Sequence, residues 1–152
     1  MFAAVDARVK APFLIVETGQ PVRSMRRYGG FPHWIRVAAG LEAGETVVAN
    51  VERGDALPGC EGFAGVIVSG SAAMVTDRAD WSERSAEWLR EAAHEGLPLL
   101  GICYGHQLLA HALGGEVAYN PAGRESGTVH IDLHPPAQDD PLFSALPLKF
   151  TA

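Results

Sequence analysis

The stretch LLGICYGHQLL, Leu99 to Leu109, runs from an apolar strand-like segment directly into a helix-like one, with a single thiol, Cys103, at the junction. Gly101 and Gly105 stand two positions before and two after it. That is the spacing of a nucleophile elbow, where small residues let a sharp strand-to-helix turn close without side-chain clashes and lift the nucleophile above a sheet. A thiol so placed also sits at a helix N-terminus, whose unpaired backbone N–H groups favour thiolate over thiol. The competing reading is an inert, buried cysteine in a glycine-flanked strand end.

Working outward, Leu97 to Ile102 reads as a strand and Gly105 to Leu113 as a helix stopped by Gly114-Gly115. Upstream, Pro12 to Thr18 (PFLIVET), Thr46 to Val51 (TVVANV) and Gly65 to Ser69 (GVIVS) are short apolar runs rich in branched residues, as strands buried on both faces require. Between the last two lies the turn-rich stretch 54–65. Residues 20–32 carry Pro21, Gly29, Gly30 and Pro32 beside Arg23, Arg26 and Arg27, which interrupts any helix until about His33 to Ala39. From Trp81 to His94, Trp81, Ser85, Trp88, Leu89 and Ala92 recur at helical spacing, predicting an amphipathic helix with its tryptophans in the core. Strands alternating with helices predict a mostly parallel sheet covered on both faces. Beyond Gly115 the pattern shortens: Val117 to Tyr119 and Thr128 to Leu133 read as strands, the second alternating like a half-solvated antiparallel or edge strand.

The chain has 152 residues, 47% hydrophobic and 20% charged, enough for one globular domain over 1–152. Its formal charge of -6 offers no footprint for nucleic acid or an anionic membrane surface. No apolar run is long enough for a membrane span, and Met1 to Lys10 holds no apolar signal core, so a cytoplasmic protein is expected. Cys60 lies in a Pro-Gly-Cys-Glu-Gly loop, in different company from Cys103, which argues against a disulfide. The six histidines are scattered, which argues against a structural metal.

Residues 101–115, GICYGHQLLAHALGG, resemble the class I (triad-type) glutamine amidotransferases, whose signature is Gly-x-Cys-x-Gly-x-Gln followed by a helix and a glycine pair. Gly65 to Ala73 (GVIVSGSAA), Gly123 to Gly127 (GRESG) and Asp139 to Phe143 (DDPLF) extend the resemblance over nearly the entire chain. Within the class the chain is most similar to stand-alone members akin to the glutaminase domain of GMP synthase. The resemblance implies a flavodoxin-like three-layer α/β sandwich with a mostly parallel central sheet and a nucleophile elbow, incomplete at the C-terminus.

Cys103 would then attack the side-chain amide of L-glutamine, or of another gamma-glutamyl compound, releasing ammonia and leaving a gamma-glutamyl thioester that water hydrolyses. The backbone N–H of Tyr104 and one from the Gly70-Ser71 turn would hold the oxyanion. Many relatives have a second glycine where Ser71 stands. Gln107 matches the signature glutamine and would bind substrate or brace the oxyanion loop; a solvent-facing helix residue is the alternative. Gly123, Arg124 and Glu125 fall at the substrate, the two charged residues either clamping its alpha-amino and carboxylate groups or forming a salt-bridged turn. No cofactor is implied, and the ammonia acceptor would be a synthase domain or subunit.

The family completes its site with a His-x-Glu pair, as general base and orienter, well downstream of the elbow. Residues 1–152 contain none, and they end at Phe150-Thr151-Ala152 in what reads as the start of a strand, so the natural domain is expected to continue. His130 and Asp132 offer only a His-x-Asp pair, which reads better as one solvated face of an edge strand. His106 and His111 lie on the elbow helix, badly aimed for Cys103. Two alternatives stay open: a gamma-glutamyl hydrolase or peptidase, and a non-catalytic fragment serving as a binding module.

Overall fold

The computed structural model describes residues 11–123 and 127–152, and the chain divides into two compact units, Met1–Ala118 and Tyr119–Ala152. The first contains a four-stranded parallel sheet built from β1 (Phe13–Glu17), β2 (Thr46–Asn50), β3 (Gly65–Val68) and β4 (Leu99–Gly101), in the order β2-β1-β3-β4. This is the order of the flavodoxin-like doubly wound fold, whose ligands bind beyond the carboxyl ends of the strands where the winding reverses. Here the reversal lies between β1 and β3. The elbow follows the carboxyl end of β4, beside β3.

Strand alternation divides the sheet residues between two faces. Leu14, Val16, Val66 and Val68 form one buried cluster with Ala86 and Leu89 of α2 (Asp80–His94) and Tyr104, Leu108 and Ala112 of α3 (Tyr104–Ala112). Ile15 and Ile67 point to the other face and are buried as well, so the two central strands are covered on both sides. That explains their uninterrupted apolar sequence. Trp81 and Trp88 pack half-buried against the cluster, and the Trp88 indole N–H is satisfied by the carbonyl of Pro58 at 2.7 Å. The helix α1 (Phe31–Ala38) begins earlier than the sequence suggests: Pro32 lies in its first turn, where the missing N–H has no helical partner to lose.

The end of α3 follows the glycine pair. Gly114 has φ +85°, its N–H bonds the carbonyl of His111, and the Gly115 N–H bonds that of Ala110, the paired pattern of a Schellman cap. Val117 to Tyr119, expected as a strand, is irregular: it joins no ladder, and Val117 packs its side chain against the core of the first unit.

In the second unit, β5 (His130–Asp132) pairs antiparallel with β6 (Lys149–Thr151), Ile131 opposite Phe150. The alternation of residues 128–133 is that of such a ribbon. Asp140 opens the intervening turn by accepting the N–H groups of Leu142 and Phe143 at 2.8 and 2.9 Å.

Candidate active site

Cys103 occupies a backbone conformation that non-glycine residues rarely adopt, φ 54° and ψ -107°. Its surroundings over-determine that geometry. The Ile102 N–H is held by the carbonyl of Val68 at 3.0 Å, and the Gly105 N–H lies 3.2 Å from that of Ser69 and 3.0 Å from that of Ile102. The Cys103 carbonyl is already engaged by the Gln107 N–H as the first turn of α3. The flanking glycines are there for clearance: a Cβ on Gly101 would lie 2.4 Å from the carbonyl carbon of Gly105, and one on Gly105 would lie 2.4 Å from the carbonyl oxygen of Val68. The turn therefore closes backbone on backbone, leaving the Cys103 side chain exposed.

Beside it runs Ser69-Gly70-Ser71, leaving the carboxyl end of β3. A Cβ built on Gly70 would sit 3.7 Å from the Cβ of Cys103, so the loop and Cys103 are in contact. Ser69 is fully buried, as is Thr18 at the end of β1. The Thr18 N–H donates to Ser69 Oγ at 3.0 Å, the Thr18 hydroxyl donates to the Ser69 carbonyl at 2.9 Å, and the Ser69 hydroxyl lies 3.1 Å from the Gly70 carbonyl. Gly19 completes the junction, since a Cβ there would stand 2.8 Å from Ser71 Cα and Oγ. Among the described residues, the amide N–H groups of Gly70, Ser71 and Tyr104 have no protein acceptor.

The Tyr104 side chain turns away from this exposed surface into the core, its ring 5.6 Å from that of Trp81 and its hydroxyl 2.7 Å from Ser82 Oγ. Only its backbone is available beside Cys103. Burial, partly offset by the Ser82 hydrogen bond, holds the phenol above its ordinary pKa of 10.0. The unfolded chain therefore gives up this proton first, so the contribution to stability is intact below pH 10 and is lost as pH rises through that value to the folded one. Tyr104→Phe is expected to cost about 1–2 kcal/mol, because Ser82 Oγ is left buried and unpaired. Thermal melts from pH 8 to 11 check both statements, the variant losing part of the alkaline decline.

Gln107 is half-buried on α3, one turn beyond Cys103, and His106 is exposed. His111 is committed elsewhere, its Nε2 3.1 Å from Glu83 and 2.9 Å from Arg78. His130 and Asp132 are both exposed on β5, and Asp132 pairs with Lys149 at 2.9 Å, as the solvated-face reading expects. Gly123 has φ +89° in a turn closed by its N–H on the Asn120 carbonyl, while Arg124 and Glu125 lie outside the described residues. Cys60 is a free, half-buried thiol, pushed up in pKa by burial and then by Glu95 and Glu91. Among the described residues, no group of three or more histidine, cysteine, aspartate or glutamate side chains is placed to hold a metal, and no helix is long and apolar enough to cross a membrane.

Thr18, Ser69 and Gly19 escaped the sequence reading. The signal for them was present: a Thr-Gly pair and a Ser-Gly pair each terminate an apolar strand run at the same end of a parallel sheet.

Comparison with known proteins bears on the family and the fold. The family model Glutamine amidotransferase class-I matches residues 33–152. A glutamine-hydrolysing GMP synthase of Thermomicrobium roseum is 44% identical over 87 residues, covering 57% of this chain and 15% of that protein. The corresponding enzyme of Aeropyrum pernix is 47% identical over 68 residues, 45% of this chain and 12% of the relative. Among solved structures, a glutamine amidotransferase from Methylobacillus flagellatus superposes with a TM-score of 0.65 at 25% identity, covering 84% of this chain and 49% of its own. One from Thermotoga maritima shares the fold, with a TM-score of 0.69 at 18% identity over 93% of this chain and 58% of its own.

Proposed function

Because the chain belongs to the class I glutamine amidotransferase family, we propose that it carries the nucleophile half of a glutaminase site with Cys103 as the attacking group. The observation that supports this most is the strained Cys103 turn, beside three amide N–H groups that have no acceptor among the described residues. Similarity to glutamine-hydrolysing GMP synthases supports a glutaminase-type function; those alignments span at most 15% of the two relatives named above.

In the proposed reaction the Cys103 thiolate adds to the side-chain carbonyl carbon of L-glutamine, forming a C–S bond as the carbonyl electrons move to oxygen. The N–H of Tyr104 and that of Gly70 or Ser71 receive this oxyanion, as fixed dipoles that need no reorganisation when charge develops. Collapse breaks the C–N bond and expels ammonia once its nitrogen is protonated. Water then attacks the gamma-glutamyl thioester, giving glutamate and the free thiol. Gln107, one helical turn from Cys103, braces the bound amide. Gly123, Arg124 and Glu125 remain proposed substrate contacts. Protonation of the leaving group and activation of water call for the family's His-x-Glu pair, which residues 1–152 lack. The ammonia passes to a synthase domain or subunit.

Ammonia release from L-glutamine tests this reading, measured on the 152-residue chain and on a form extended by a His-x-Glu-bearing segment, each with a Cys103→Ala control. The expected result is release by the extended form alone, abolished in its control. Release by the shorter chain would make His130 the leading candidate base. Silence from both folded forms, together with failure of a glutamine-derived chloroketone to label Cys103, would sink the proposal.

A further inference from the structure

Two fully buried hydroxyls, Thr18 and Ser69, meet at the carboxyl ends of β1 and β3, directly under the loop that touches Cys103. Burying hydroxyls at a sheet end costs free energy unless each is paired, and apolar residues of like shape would fill the same space without that demand. The hydroxyls are therefore poorly explained by packing alone.

Their hydrogen bonds converge on the loop above them. Ser69 Oγ accepts from the Thr18 N–H at 3.0 Å, and the Thr18 hydroxyl has its shortest acceptor in the Ser69 carbonyl at 2.9 Å. Both hydroxyls also reach the Gly70 carbonyl, Ser69 Oγ at 3.1 Å and Thr18 Oγ1 at 3.2 Å, and they lie 3.2 Å from each other. The Gly70 carbonyl is drawn towards the buried pair. A peptide unit is planar, and the Gly70–Ser71 bond is trans, so its N–H points opposite to its C=O. The Ser71 N–H is accordingly turned away from the hydroxyls and has no protein partner among the described residues.

We propose that Thr18 and Ser69 are positioning residues that fix the Gly70–Ser71 peptide plane with its N–H presented to the oxyanion formed at Cys103. This rests on the glutaminase reading above and deepens it. Ser71 then serves without glycine's conformational freedom, because the orientation is imposed from below by hydroxyls. Gly19 assists by leaving room for Ser71 to lie against β1.

The test compares two labelling reactions of Cys103 in the 152-residue chain, followed by intact mass. Iodoacetamide reacts by direct displacement: the C–S bond forms as iodide leaves, and no oxyanion develops. A glutamine-derived chloroketone also loses its halide to the thiolate, but its ketone oxygen occupies the place of the amide oxygen and draws on the oriented N–H. Removing a donor from an oxyanion hole typically costs about a hundredfold or more, so misaiming one is expected to cost about tenfold to a hundredfold. Ser69→Ala and Thr18→Val, made separately, should slow chloroketone labelling by that factor while the iodoacetamide rate stays within about twofold. Thr18→Ser, which restores the hydroxyl, should recover the chloroketone rate.

Unchanged chloroketone rates in both variants would overturn the positioning role while leaving the glutaminase reading intact. A parallel fall in both rates would overturn it in favour of a purely structural role. Labelling of the wild-type chain no faster by the glutamine chloroketone than by chloroacetone would instead remove the glutaminase reading, and the positioning role with it.

Discussion

Cys103→Gly is expected to yield a chain that is chemically dead at the elbow and yet more stable than the wild type. The two effects have one origin. At φ 54° and ψ -107° the Cys103 backbone sits where a side chain is strained, a cost of order 1–3 kcal/mol. Glycine relieves most of that strain and returns about 0.5–1 kcal/mol as the greater entropy of its unfolded chain. The net gain is about 1 kcal/mol, or a rise in melting temperature of about 3 °C for a chain of this size. Since the side chain is exposed, its removal leaves no cavity to offset the gain. Chloroketone labelling should disappear entirely. Cys103→Ala, which keeps a Cβ and hence the strain, is the comparison that isolates the backbone term: it should be equally dead without the added stability. A Cys103→Gly chain that melts at or below the alanine variant would mean that the turn is relaxed as it stands, removing stored strain from the account of Cys103.

Gly105→Ala is expected to be the most damaging of the small substitutions. Helix propensity alone favours it, by about 1 kcal/mol, because Gly105 lies inside α3. Sterics oppose it more strongly. The added Cβ would stand 2.4 Å from the Val68 carbonyl oxygen, 2.8 Å from its Cβ and 2.9 Å from its carbonyl carbon. Two of these atoms are backbone, in the middle of the buried sheet, so the start of α3 must move. Overpacking of this kind costs about 3 kcal/mol, leaving a net loss of about 2 kcal/mol and about 6 °C in melting temperature. Displacing the helix also carries Cys103 and the Tyr104 N–H away from Gly70, and a shift of about 1 Å is enough for a loss of about a hundredfold in rate. Calorimetry together with chloroketone labelling checks both. An alanine variant that keeps its stability would show that α3 can slide on β3 without penalty, contrary to the contact described.

The elements that carry the elbow were legible because each announces itself locally. Both faces of β1 and β3 are covered, so these strands are continuous apolar runs, and α2 shows its packed face as a helical period. The glycines flanking Cys103 are likewise a local signal, since the clash each avoids is with residues close by in the turn or on the neighbouring strand. The hydroxyl pair under the loop was not legible in the same way. Thr18 and Ser69 are 51 residues apart, and each alone is an ordinary polar residue ending a strand. Only the strand order makes them neighbours. Tyr104 illustrates a subtler loss: placing the helix start at Gly105 left its ring unassigned, whereas the helix begins at Tyr104 and turns that ring inward to Ser82. Val117 to Tyr119 had the composition of a strand but joins no ladder.

The chain has only two sulfhydryl groups, and they differ in kind. Cys103 stands in the open, while Cys60 is half-covered and discouraged from ionising by burial and two nearby carboxylates. A dianionic disulfide dye should therefore stain the molecule in two well-separated steps, the first counting elbows and the second reporting loosening around Cys60. Every preparation thus carries its own assay of how many molecules have an accessible Cys103 thiol, with no substrate required.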